Sequence, residues 1–132
     1  MTQLLVAVVD DEAPIRRALA RLLRCSGYRV SELGSGAELL EALDQMRPDC
    51  LVLDVHMPNL GGLDVLLELN KSHRTLPSIL ITGSEDQQVL RACAESGVPC
   101  LCKPFTQQEL IESLHSVLGA NSGDGVPQAA GP

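Results

Sequence analysis

Residues 4–27, LLVAVVDDEAPIRRALARLLRCSG, hold one complete strand-to-helix unit. The unbroken apolar run over residues 4–9 suits a short strand buried on both faces. It stops at three acids, Asp10, Asp11 and Glu12. Pro14 follows where a helix tolerates proline, in its first turn. Ile15, Ala18, Leu19, Leu22 and Leu23 then recur at helical spacing on one face, and Gly27 can take the left-handed conformation that ends a helix.

The same unit recurs along the chain. Further strands are expected at residues 51–53 and 78–81, with weaker ones at 28–32 and 99–102. Leu39, Ala42, Leu43 and Met46 mark a second helix, opened by Ser35 or Gly36 and stopped ahead of Pro48. Leu63, Leu66 and Leu67 mark a third. The fourth, over residues 85–95, has only Val89, Leu90 and Cys93 as sizeable apolar residues, so it should be the least firmly anchored. Leu110, Ile111, Leu114, Val117 and Leu118 define the fifth, with Thr106 as N-cap and Glu109 as its capping-box partner. From Gly119 onward, Gly, Pro and Ala dominate, which is linker composition. The expected organisation is one domain over residues 1–118, with 119–132 a flexible tail or interdomain linker.

Composition agrees with a single globular domain. The chain has 132 residues, 45% of them hydrophobic and 20% charged, and a length of this order suits one core. With one Tyr, one Phe and no Trp, that core must be aliphatic. Lys and Arg number 10 against 17 Asp and Glu, a net charge of -7. Such a balance argues against a general nucleic-acid or anionic-membrane surface. Cys25, Cys50, Cys93, Cys100 and Cys102 are odd in number and lack paired CxxC spacing, as expected of reduced thiols in the cytoplasm. Residues 4–9 are too few to span a membrane, and no basic segment precedes them.

Strands alternating with helices imply an α/β fold with a mostly parallel sheet covered on both faces. Ligands of such sheets bind at the carboxyl ends of the strands. Those ends carry Asp10, Asp11 and Glu12 after the first strand, Asp54 after the third, Thr82 and Gly83 after the fourth, and Lys103 and Pro104 after the fifth. Three carboxylates in one place repel unless a cation sits among them, and oxygen donors suit Mg²⁺. A lysine and a hydroxyl opposite that cation complete a place for a phosphoryl group. The chemistry implied is phosphoryl transfer to a carboxylate.

VVDDE at 8–12, LVLDVHMPNLGGLDVL at 51–66, ILITG at 79–83 and LCKPF at 101–105 together resemble the motif blocks of response-regulator receiver domains. The resemblance implies a three-layer, flavodoxin-like (βα)5 fold whose five-stranded sheet has the order 2-1-3-4-5. It implies that Asp54 is the phosphoacceptor, and that Asp10, Asp11, Asp54 and the backbone carbonyl of His56 hold Mg²⁺ or Mn²⁺. By the same resemblance, Thr82 is the switch hydroxyl and Lys103 the lysine that pairs with the phosphoryl group, ahead of a cis Pro104. Met57, Pro58 and Gly62 match the turn after the acceptor, Gly83 leaves access to it, and His56 and Ser84 match positions that tune autodephosphorylation. The implied donor is a sensor histidine kinase or a phosphotransfer protein. The protein would be a signalling phosphoacceptor with its own autophosphorylation and autodephosphorylation chemistry, not an enzyme, in a predominantly bacterial family. A surface of the fourth helix, fifth strand and fifth helix would meet an output partner or a second copy, with no nucleic acid bound by this domain. One position departs from the pattern: Cys100 stands where the family carries a switch aromatic.

Other readings exist for each residue taken singly. Asp10 and Asp11 could cap a helix, Thr82 could end a strand and Lys103 could be a solvated surface lysine; their joint placement favours the site. Cys100 and Cys102 share a strand face at poor disulfide geometry. His73 and His115 are isolated surface residues. A phosphohydrolase with an aspartyl-phosphate intermediate is disfavoured because Asp54-Val55-His56 lacks a paired acid. A phosphorylation-independent scaffold or adaptor of the same fold is the principal alternative.

Overall fold

The computed structural model describes residues 3–121. Strands and helices alternate five times: β1 (Leu5–Val9), α1 (Ala13–Cys25), β2 (Arg29–Leu33), α2 (Gly36–Ala42), β3 (Cys50–Asp54), α3 (Gly62–Lys71), β4 (Ser78–Thr82), α4 (Gln87–Glu95), β5 (Cys100–Cys102) and α5 (Gln107–Asn121). All paired strands are parallel, in the order β2-β1-β3-β4-β5. This is the flavodoxin-like doubly wound sheet expected from the motifs.

Strand alternation divides the core in two. Ala7, Val9, Leu51, Leu53 and Leu80 point to one face, where they meet Leu39 of α2, Val65 and Leu69 of α3 and Cys93 of α4. Val6, Val8, Val52, Ile79 and Ile81 point to the other, against Leu19 and Leu23 of α1 and Leu110 and Leu114 of α5. Each fully buried leucine contributes about 1.5–3 kcal/mol of apolar burial. β3 and β4 are buried at every position, which is why they read as unbroken apolar runs.

Helix ends follow local chemistry. Ser35 settles the start of α2, its hydroxyl accepting from the Glu38 N–H at 3.0 Å. The Thr106 hydroxyl accepts from Glu109 N–H at 3.0 Å, and the Glu109 carboxylate accepts from Thr106 N–H at 2.8 Å, the capping box expected at α5. Gly27 follows the end of α1 with φ +99°.

Three segments differ from the sequence reading. α2 ends at Ala42, well short of Pro48, because Asp44 N–H and Gln45 N–H bond three residues back and tighten the chain into a turn; Met46 packs on the core from that turn. In α3, Leu67 is 59% exposed, while Gly62, Val65 and Leu69 are the buried positions. Their spacing of three and four residues sets the buried stripe, and Leu67 lies on its far side. α5 runs through Gly119 to Asn121, and the rest of the expected tail, 122–132, lies outside the described residues. No helix among the described residues is long and apolar enough to cross a membrane.

Candidate functional site

Parallel register brings the strand ends to one level. Val9 pairs with Leu53 and Asp54 with Ile81, while Thr82 pairs with Cys102. Asp10, Asp54, Thr82 and Lys103 therefore leave adjacent strands along the carboxyl edge. One oxygen each from Asp10, Asp11 and Asp54 lies within 4.8 Å of the others. Asp10 and Asp54 are buried, whereas Asp11 is exposed and opens the cluster to solvent.

Each acid is held by its own surroundings. Asp10 donates its N–H to Leu33 O at 3.1 Å, and its carboxylate accepts from Glu12 N–H at 2.9 Å. Its carbonyl accepts from the Arg16 guanidinium at 2.8 Å. Arg16 also faces Glu32 of β2 at 3.5 Å, and Arg24 reaches the same carboxylate at 3.6 Å. Arg16 was not singled out in the sequence, where it is one of two consecutive arginines on an amphipathic helix. Only the fold shows it tying the acidic turn to the sheet edge.

Asp54 accepts from the His56 N–H at 3.1 Å. Burial pushes its carboxyl above the usual carboxylate range; the His56 N–H opposes this, Asp10 adds to it, and Lys103 and His56 work against it. Burial is the main cause of the rise, and a cation beside the acids would oppose it. Oxygen-only donors that close together fit a small hard dication, since opposite ligands around Mg²⁺ stand about 4.2 Å apart. The three acids could thus hold such an ion with little movement.

The loop after β3 doubles back tightly onto the strand. A side chain at Gly61 would collide with the Val55 carbonyl, and a Cβ at Gly62 would sit 2.9 Å from the Asp54 carbonyl. Met57 anchors this loop in the core. The imidazole of His56 does not join the carboxylates but turns to β4, with Nε2 2.9 Å from Thr82 Oγ1. Thr82 is fully buried and also accepts from the Ser84 N–H at 3.0 Å. Lys103 donates its N–H to Thr82 O at 2.8 Å, its side chain runs past Gly83, and its bond to Pro104 is cis.

Cys100 is half-buried and packs on the core face that also holds Cys93. Burial and the neighbouring Cys93 thiol push its thiol up to about 12. All five cysteines are free, and His73 and His115 are exposed, away from the site.

The response regulator receiver domain family model matches residues 6–115. Nodulation protein W of Bradyrhizobium diazoefficiens is 40% identical over 114 residues, 86% of this chain and 50% of that protein. Response regulator MprA of Mycobacterium sp. strain KMS is 34% identical over 125 residues, 94% of this chain and 54% of that protein. The chain spans about half the length of these curated relatives. The crystal structure of FixJ-N superposes with a TM-score of 0.82 at 32% identity, covering 89% of this chain and 95% of that one. A receiver domain protein from Clostridium thermocellum gives 0.80 at 28%, covering 90% and 97%. Fold, strand-end acids and relatives agree, and the chain belongs to the response-regulator receiver domain family.

Proposed function

We propose that Asp54 accepts a phosphoryl group and that its modification switches the conformation of the domain within a two-component phosphorelay. The observation that carries this reading is the convergence of Asp10, Asp11 and Asp54 at strand ends shared with Thr82 and Lys103. A Mg²⁺ or Mn²⁺ ion held by the three acids and the His56 carbonyl would supply positive charge to the transferring phosphoryl oxygens. A carboxylate oxygen of Asp54 attacks phosphorus in line, an O–P bond forms, and the P–N bond of a donor phosphohistidine breaks. The electron pair of that bond stays on the donor imidazole. Lys103 and the Thr82 hydroxyl face the phosphoryl oxygens, and Gly83 leaves the approach open. His56 and Ser84 flank the path of the water that would hydrolyse the acyl phosphate.

The donor is a sensor histidine kinase or a phosphotransfer protein, and the output surface is formed by α4, β5 and α5, facing a partner, a second copy or an output domain. The half-length coverage of the relatives fits a receiver joined to such a domain. On this reading the chain is a cytoplasmic signalling phosphoacceptor, not an enzyme acting on other molecules. Intact-mass spectrometry after incubation with acetyl phosphate and Mg²⁺ tests it. A labile phosphate-sized gain is expected in the unmodified sequence and not in Asp54→Asn or with EDTA. No gain on the folded, Mg²⁺-supplied protein, from acetyl phosphate or a histidine kinase, would leave the phosphorylation-independent adaptor in its place.

A further inference from the structure

The geometry points to His56 as the positioning residue for the Thr82 hydroxyl, an assignment that rests on the phosphoacceptor reading of Asp54. The two ends of His56 join two different groups. Its backbone N–H donates to Asp54 Oδ1 at 3.1 Å, and its ring Nε2 lies 2.9 Å from Thr82 Oγ1. Thr82 is wholly buried although its neighbours His56 and Gly83 are exposed, so the imidazole covers the hydroxyl from solvent.

Counting hydrogen-bond capacity shows what this does. A hydroxyl has one proton to donate and two lone pairs to accept with. The Ser84 N–H occupies one lone pair at 3.0 Å. With its hydrogen on Nε2, His56 occupies the second, and the Thr82 O–H is left to donate to a phosphoryl oxygen on Asp54. In that tautomer two donors aim the hydroxyl before any phosphoryl group arrives, which lowers the reorganisation needed during transfer. The same oxygen begins a chain of bonds into α4. Ser84 N–H donates to Thr82, Asp86 N–H to Ser84 Oγ at 2.9 Å, and Gln88 N–H to Asp86 Oδ1 at 2.8 Å. Movement of the Thr82 hydroxyl therefore reaches the N-cap of the helix that buries only Cys93 completely. None of these bonds involves Cys100.

Labelled protein of the full 132 residues provides the test, through three-bond couplings from Thr82 Cγ2 to backbone nitrogen and carbonyl carbon. The unmodified sequence should show one χ1 rotamer. His56→Ala should show rotamer averaging, with its largest amide shift changes at Ser84, Asp86 and Gln88. His56→Gln, whose amide nitrogen reaches close to the position of Nε2, should restore the single rotamer. Mass gain from acetyl phosphate should slow about tenfold in His56→Ala and recover in part in His56→Gln. Because His56 is exposed, its truncation leaves the core intact. Thr82 couplings in His56→Ala identical to those of the unmodified sequence would overturn the assignment. The coupling measurement needs no phosphoryl donor, so a protein that never gains mass counts against the phosphoacceptor reading alone.

Discussion

Asp54→Asn should make the metal-free protein more stable. With carboxylate oxygens no more than 4.8 Å apart and an effective dielectric constant of about 20, Asp54 and Asp10 repel by about 3 kcal/mol or more. The asparagine keeps an oxygen to accept the His56 N–H, so that bond survives, while the attraction to Lys103 is lost and returns part of the gain. A net stabilisation of about 1–2 kcal/mol remains, equivalent to roughly 3–10 °C in Tm for a domain of this size. The pH dependence has a definite sign. Because the folded carboxyl titrates above its unfolded value, the native state holds its proton longer. Asp54 therefore costs stability progressively as pH rises through the unfolded carboxylate value, about 3.9, towards the raised one. The difference between Asp54→Asn and the unmodified protein should grow over that interval and then level off. Added Mg²⁺ should reverse the order: at 100 times its Kd it stabilises the unmodified protein by about 2.7 kcal/mol, and the asparagine variant by much less. Urea unfolding in EDTA and in Mg²⁺, at matched ionic strength, measures both. Equal stability of the two proteins in EDTA, or equal gain from Mg²⁺, would refute the electrostatic account of the cluster.

Three further outcomes follow from packing and exposure. Gly61→Ala should cost about 3 kcal/mol or more in urea unfolding, because its methyl meets the Val55 carbonyl, whereas Gly27→Ala, strained at φ +99° but in open space, should cost about 1 kcal/mol. Leu69→Ala should cost about 2–5 kcal/mol and Leu67→Ala less than about 0.5 kcal/mol, since only the first is buried; equal losses would refute the register of α3. Iodoacetamide at pH 8 should modify Cys25 and Cys102 in the native protein and spare Cys50 and Cys93, which are buried, and Cys100, whose thiol, like that of Cys50, is pushed up to about 12; peptide mass mapping reads the pattern.

The strands that build the site were the most legible part of the chain. β1, β3 and β4 are buried on both sides, so their apolar runs are continuous and the polar residue ending each is conspicuous. The edge strands β2 and β5 carry polar or half-exposed residues and gave weaker signals. A helix with apolar residues on several sides was harder to register: α3 offers leucines at 63, 66, 67 and 69, and which of them faces the sheet depends on how Gly62 lets the helix approach Asp54 and Leu53. Asp10, Asp11, Asp54, Thr82 and Lys103 were identified because strand ends in a parallel sheet must converge. The contacts of Arg16 with the Asp10 carbonyl and of His56 with Thr82 could not be read in advance, because they depend on side-chain direction across elements far apart in sequence.

The strand order also decides when during synthesis this site can exist. β1 emerges first yet lies inside the sheet, so its acids wait for β3, then β4, and finally for Lys103 beyond β5. At roughly 5–20 residues per second, the stretch from Asp10 to Lys103 takes on the order of 5–20 s to translate. Throughout that interval the nascent chain presents acids without their lysine. Cation binding by the acidic cluster would therefore report only that β1 and β3 have paired, and a ribosome stalled before β5 would hold a chain that has the acidic strand ends but not the lysine that completes them.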